Sequence, residues 1–202
     1  GSFVHFGSFS FLETKNIISG EGGLLAINDT RFLDRSEIIW EKGTNRSAFF
    51  RGEIEKYGWV DIGPSFLPSE VIAAFLFAQL ENLQQIQNTR GSIWDTYFNS
   101  FKPLAKNNEV GLPNIPNYAT NNSHMFYLVC SGLDERDALI QRLRKHDILS
   151  VFHYLPLHRS PFYANKHDGR NLQHTVKLAN RIVRLPLFYE LSPEHQSEII
   201  HL

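Results

Sequence analysis

Phe9-Ser10-Phe11-Leu12-Glu13-Thr14-Lys15-Asn16-Ile17-Ile18-Ser19-Gly20-Glu21-Gly22-Gly23 alternates serine with phenylalanine, reaches a lysine, and closes on three clustered glycines. Leu24-Leu25-Ala26-Ile27, bounded by Asn28-Asp29, reads as an apolar strand. Aromatic residues interleaved with small ones from Phe3 to Phe11 predict strands buried on both faces, as in an α/β sheet, with Gly7 at a turn or a close backbone approach. Lys15 is then enclosed between two buried strands. Two readings are open to it. By residue type alone it is a solvated hairpin lysine, because buried lysines are uncommon. If desolvated, it has a depressed pKa and a free amine that attacks carbonyls. Spacing does not choose between them.

Working outward, Asp29 to Lys42 reads as a helix, with Phe32, Leu33, Ser36 and Ile39 or Trp40 at near-helical spacing and Gly43 stopping it. Gly43 to Leu67 is a long connection whose aromatic content argues against disorder, which leaves function as the usual reason for its length. Pro68-Ser69-Glu70 opens a helix that is apolar all round from Val71 to Ala78, the pattern of a helix buried on every side. It continues past Leu80, Leu83 and Ile86 to Phe101, interrupted at Gly91, and Lys102 to Asn122 reads as loop. Beyond His124 come a strand (125–130), a helix (134–145, capped by Asp134, with Leu139 and Leu143 inward) and a strand (149–154). After a loop follow a helix (171–183) and a last helix begun by Ser192-Pro193. That is a small α/β domain. Pro156 and Pro161 stiffen a loop that presents His158.

The bulk properties exclude several classes. The 202 residues are 42% hydrophobic, enough for a packed core, and the net charge of −1 suggests neither nucleic acid nor an anionic membrane as partner. The one cysteine, Cys130, cannot form an intramolecular disulfide, and no histidine or cysteine spacing suits zinc, so no metal is expected. The longest apolar run, Val71 to Ala78, is too short to cross a bilayer. A soluble, cytoplasmic protein is expected.

Ser-Phe-x-x-x-Lys followed by Gly-Glu-Gly-Gly resembles the lysine segment of the DegT/DnrJ/EryC1/StrS sugar aminotransferases, which are fold-type I pyridoxal-phosphate enzymes. Further stretches are similar to the dTDP-4-amino-4,6-dideoxygalactose transaminase branch of that family. They include Glu41 to Ser47, Phe49-Phe50-Arg51-Gly52, Asp61-Ile62-Gly63, His124 to Tyr127, Val151 to His158, and Arg184-Leu185-Pro186-Leu187-Phe188-Tyr189. The resemblance runs from Gly1 to Leu202.

It implies the C-terminal part of the fold. Residues 1–67 would be the remainder of the large cofactor-binding domain with its active-site loop, 68–122 a linking helix and loop, and 123–202 the small domain. Because the chain opens without methionine and relatives are longer on that side, it is expected to be a fragment, inactive alone. The family's aspartate for the pyridinium nitrogen, its ring-stacking aromatic and its phosphate loop would lie upstream.

The resemblance also assigns roles. Lys15 would hold pyridoxal phosphate and shuttle a proton for amino transfer, with Ser10 on the cofactor phosphate. Ser65 stands where many relatives have an asparagine that reaches the partner's phosphate. Asn45, Arg46 and Arg51 lie in the loop that enters the neighbouring subunit's site, where arginine forks suit anionic oxygens. His153, Tyr154 and His158 match the loop facing the sugar nucleotide. Taken singly, each of these histidines is as well read as a packed or surface residue, and Ser10 as a small strand residue. Phe49, Phe50, Tyr57 and Trp59 are candidates to stack on thymine or to form core. Leu12 departs from the commoner Ser-Phe-His pattern.

The implied reaction moves an amino group, from glutamate, to C4 of dTDP-4-keto-6-deoxyglucose for polysaccharide synthesis, in a homodimer with shared active sites. A sugar dehydratase of the same fold would carry histidine in place of Lys15. A non-catalytic remnant is the other alternative.

Overall fold

The computed structural model describes residues 3–202, which fall into two units, 3–83 and 84–202. The division falls inside the helical stretch expected to link the two ends of the chain.

In the first unit, β1 (Phe6–Ser10) and β2 (Gly23–Ile27) pair antiparallel, with Phe6 opposite Ile27 and Ser10 opposite Gly23. The pairing confirms two strands around Lys15 but not their burial on both faces. No third strand joins them among the described residues, and Phe6, Phe9, Leu24 and Leu25 are exposed. Gly7 sits inside β1 rather than at a turn. A 3-10 turn, Thr30–Phe32, is held by the Asp29 carboxylate accepting from the Arg31 N–H, and it leads into α1 (Leu33–Trp40).

The long connection is not structureless, since it contains α2 (Arg46–Phe50). It is anchored where Gly43 and Gly63 cross. A Cβ on Gly63 would come within 2.0 Å of the Gly43 nitrogen, and Gly43 itself has φ +81. Only glycine tolerates both the contact and the left-handed conformation. The Gly43 carbonyl accepts from the Val60 and Asp61 N–H groups, which fixes the returning strand of the loop.

The expected continuous helix is two helices, α3 (Glu70–Glu81) and α4 (Leu83–Lys106), broken at Asn82 rather than Gly91. Ser69 caps α3 by accepting from the Ile72 N–H. The all-apolar pattern of α3 predicts burial, yet no α3 residue is buried, and Val71, Phe75, Phe77 and Leu80 face outward.

α4 dominates the second unit. Its buried residues Ile86, Arg90, Ile93, Trp94, Tyr97 and Phe101 follow an i, i+4, i+7 stripe, so one face is core and the other solvent. It runs through Gly91 and Pro103 to Lys106, so 102–106 is helix rather than loop. The stripe packs on a three-stranded antiparallel sheet of order β3 (Phe126–Val129), β5 (Ile182–Leu185), β4 (Val151–Phe152). Phe126 is fully buried, with the rings of Trp94, Tyr97 and Phe101 within 5.2–6.2 Å.

The central strand β5 lies within and beyond a stretch read as helix. The helix there, α6, ends at Ala179 (Gln173–Ala179), and the chain turns directly into the sheet. α5 (Leu133–Arg144) buries Leu143 as expected, but its N-cap is Gly132, and Glu135 rather than Asp134 reaches back to the N–H and hydroxyl of Ser131. α7 (Pro193–His201) opens as predicted, Ser192 accepting from the His195 N–H. No helix among the described residues is long and apolar enough to cross a membrane.

Candidate functional site

Lys15 sits in the loop that joins β1 to β2. The ladder continues past the strands: the Phe11 N–H donates to Gly22, the Ser19 N–H to Phe11, and the Glu13 N–H to Gly20. Leu12 and Gly20 thus close the loop like a clasp, and Gly20 takes φ +80 to do it. The Lys15 N–H bonds to the Leu12 carbonyl at 2.9 Å, so its backbone is held in a tight turn. Ile17 and Ser19, farther along the same loop, are buried. Lys15 itself is half-buried rather than sealed between strands, because the strands that were to cover it are themselves exposed. No carboxylate pairs with its amine among the described residues.

Ser10, exposed at the end of β1, accepts weakly from the Leu12 N–H at 3.4 Å and so keeps a hydroxyl available. Ser65 is exposed, outside any helix or strand. The loop candidates are more engaged. Asn45 accepts from the Gly58 N–H at 2.9 Å, bracing the loop. Arg46 pairs with Glu41 at 3.0 Å, and Arg51 bonds Glu37 and Glu53 at 2.6 and 2.7 Å. All three pairs are solvent-exposed, so they are screened and exchangeable rather than fixed. Phe49 packs on Tyr57 and Phe50, while Trp59 projects into solvent.

In the second unit, His153 and Tyr154 follow the end of β4. Their rings meet edge to face at 5.2 Å, and Tyr154 holds φ +49, a conformation a bulky residue rarely adopts. Burial, and secondarily the charge of Arg184, lowers the pKa of His153, which favours the neutral imidazole. His158 lies 5.1 Å from the ring of His167, whose Nε2 is 3.0 Å from the Arg170 carbonyl.

Arg184 was visible in sequence only as part of a motif; the first two residues of its strand, Ile182 and Val183, were read as the end of a helix, which hid its neighbours. Arg90 was not singled out in the sequence. It is buried, donating to the carbonyls of Ser123, His124 and Leu187. No cluster of three or more metal-ligating side chains occurs among the described residues.

Comparison with known proteins fits this architecture. A putative sugar aminotransferase, Spr1654 of Streptococcus pneumoniae in its PLP-form, superposes with a TM-score of 0.78 at 24% identity, over 100% of this chain and 51% of the other. The fold is therefore the α/β fold of the sugar aminotransferases. The family model of the DegT/DnrJ/EryC1/StrS aminotransferases matches residues 1–202, and the chain belongs to that family. Among curated relatives, the spore coat polysaccharide biosynthesis protein SpsC of Bacillus subtilis is 24% identical over 99% of this chain and 53% of its own. The UDP-4-amino-4,6-dideoxy-N-acetyl-beta-L-altrosamine transaminase of Helicobacter pylori is 24% identical over 100% of this chain and 52% of its own. The chain thus spans about half the length of the curated relatives it matches.

Proposed function

We propose that the chain is part of a pyridoxal-phosphate-dependent sugar-nucleotide aminotransferase, with Lys15 as the residue that tethers the cofactor. The observation that carries this reading is the state of Lys15: half-buried on a turn closed by Gly20, free of any carboxylate among the described residues, and five residues beyond an available serine hydroxyl. An amine already locked in an ion pair would be a poor nucleophile, and this one is not. The residues present therefore fit the cofactor's aldehyde at Lys15 and an oxygen of its phosphate at Ser10. When bound, the cofactor supplies the electron sink that lets an amino acid's α-carbon lose its proton. Lys15 Nζ receives that proton and returns it, acting as general base and then general acid.

The finer assignment is amino transfer from glutamate to C4 of dTDP-4-keto-6-deoxyglucose in a homodimer with shared active sites. The segments from Glu41 to Ser47, Val151 to His158 and Arg184 to Tyr189 support it. The Helicobacter relative carries a UDP sugar in its name, so the nucleotide is where this reading is most exposed to test. Asn45, Arg46, Arg51, Ser65, His153, Tyr154 and His158 are assigned to phosphate and sugar-nucleotide contacts. For Arg46 and Arg51 this requires exchange of exposed carboxylate partners for phosphate oxygens.

Adding pyridoxal phosphate to the chain and recording its visible spectrum tests the tether. A new absorbance band is expected, abolished in Lys15→Ala and trapped covalently at Lys15 by borohydride. An identical spectrum in Lys15→Ala would remove the lysine from the chemistry and leave a folded, non-catalytic remnant.

A further inference from the structure

A groove of about 690 Å³ runs between α4 and α7 in the second unit. Thr89, Ser92, Thr96 and Ser100 of α4 form a row of hydroxyls along it, spanning roughly 16 Å at the rise of an α-helix. Ile93, Leu191, Pro193 and Ile200 supply its apolar surface, and Gln196 and His201 line it from α7.

The polar groups in the middle of this groove have their donors committed elsewhere. The Ser92 and Thr96 hydroxyls donate to the Asn88 and Ser92 carbonyls at 3.1 and 2.9 Å, and a carbonyl only accepts. Their oxygens are left as acceptors. Gln196 is 5% exposed, and its Nε2 donates to the Ile93 carbonyl at 2.7 Å, which fixes which way round the amide lies. Its Oε1 is the atom left over: it accepts from no donor among the described residues, yet it is not sealed in the core. His201 repeats the pattern. Its Nδ1 lies 2.6 Å from the Ser197 carbonyl, so that nitrogen carries the proton, and Nε2 of the neutral ring is an acceptor.

An amide oxygen held at a buried residue without a partner is costly unless something donates to it. An anion does not, because the fixed groups of the groove offer it only oxygens. The charge of the lining stretches, 89–100 and 191–201, points the same way: their carboxylates are Asp95, Glu194 and Glu198. Their one arginine or lysine, Arg90, is buried and bonded to carbonyls of other segments. Local charge therefore favours a cation. An ammonium brings three N–H donors on one atom, and an aliphatic stem suits the apolar surface beside it.

We propose that the groove between α4 and α7 binds a primary aliphatic amine, its ammonium on the oxygens of Ser92, Thr96 and Gln196 and its hydrocarbon chain along Ile93 and Ile200. The site lies wholly within residues 84–202 and is independent of Lys15.

Calorimetric titration of the 202-residue chain near neutral pH with hexylamine, hexan-1-ol and hexanoate compares three head groups on one chain length. Hexylamine should bind about tenfold or more tightly than the alcohol, and hexanoate should not bind. Thr96→Val keeps the shape of the side chain and removes its oxygen, so hexylamine should weaken by about tenfold. Ser92→Ala should act in the same direction, and because both residues are exposed on α4, either variant serves if the other fails to fold. Equal affinity for amine and alcohol would reduce the groove to an apolar cleft and overturn the proposal. So would binding of hexanoate as tight as that of hexylamine, no response to hexylamine at millimolar concentration, or undiminished amine affinity in a folded variant. No cofactor enters the measurement, so its failure leaves the Lys15 reading intact, and the reverse also holds.

Discussion

The two units differ most in what they bury. In residues 84–202, Trp94, Tyr97, Phe101, Phe126, Leu128, Val183, Leu185 and Ile199 form one continuous core. In residues 1–83, Ile17 alone among the described large apolar residues is buried, while the rings of Phe6, Phe9, Trp40, Phe50, Trp59, Phe66 and Phe77 meet solvent. The two units are alike in having apolar side chains, yet only the second encloses them. Backbone ladders, glycine crossings and caps suffice to shape the first unit, but burial of apolar area is what makes a fold stable by itself. The residues proposed for cofactor chemistry thus lie in the unit least able to hold its own shape.

The sharpest test of that contrast is truncation in each unit. Phe126→Ala, removing a ring in contact with three other aromatic rings, is expected to cost about 3–5 kcal/mol in urea unfolding. Phe77→Ala on α3 should change stability by less than about 0.5 kcal/mol and reduce binding of a hydrophobic dye. A large loss from Phe77→Ala would break the comparison. Arg90→Met should cost about 1–3 kcal/mol, because three carbonyls lose their donor inside the second unit. Tyr97→Phe, which removes the hydroxyl bonded to the Pro186 carbonyl at 3.0 Å, should cost about 1 kcal/mol by the same measurement.

The smallest effect is one of pH. Burial pushes the Cys130 thiol up to about 11 from 9.0, so the folded state holds its proton more tightly than the unfolded chain. Its contribution to stability is therefore intact below pH 9 and is lost as pH rises from 9 toward 11. At pH 8 a thiol reagent should label Cys130 only after denaturant is added, and ready labelling of the native chain would show the second core to be open.

What sequence reading recovered and missed follows the same division. The helix caps at Ser69 and Ser192, the β1–β2 pair around the glycine clasp, and the inward Leu143 depend on local chemistry or clean periodicity, and all were legible. The all-apolar run in α3 was legible as helix but not in its burial, because burial depends on what lies against a face and not on the face itself. β5 escaped because two residues separate it from α6 and a charged Arg184 interrupts its apolar pattern. Gly91 and Pro103 read as breaks, yet the stripe packed on Phe126 holds α4 together through both. At the candidate site, the lysine and its glycines were singled out by resemblance and not by spacing. The unpaired nitrogens of His153 and Arg184 could not be read at all, because they arise only when β4 and β5 lie side by side.

Arg90 gathers carbonyls from chain positions 33, 34 and 97 residues away. Those acceptors exist as a set only after the loop before β3 and the segment after β5 have both come to rest beside α4. The guanidinium therefore closes the structure late in folding, and substitutions there should act on the rate at which the native state comes apart while leaving refolding nearly unchanged.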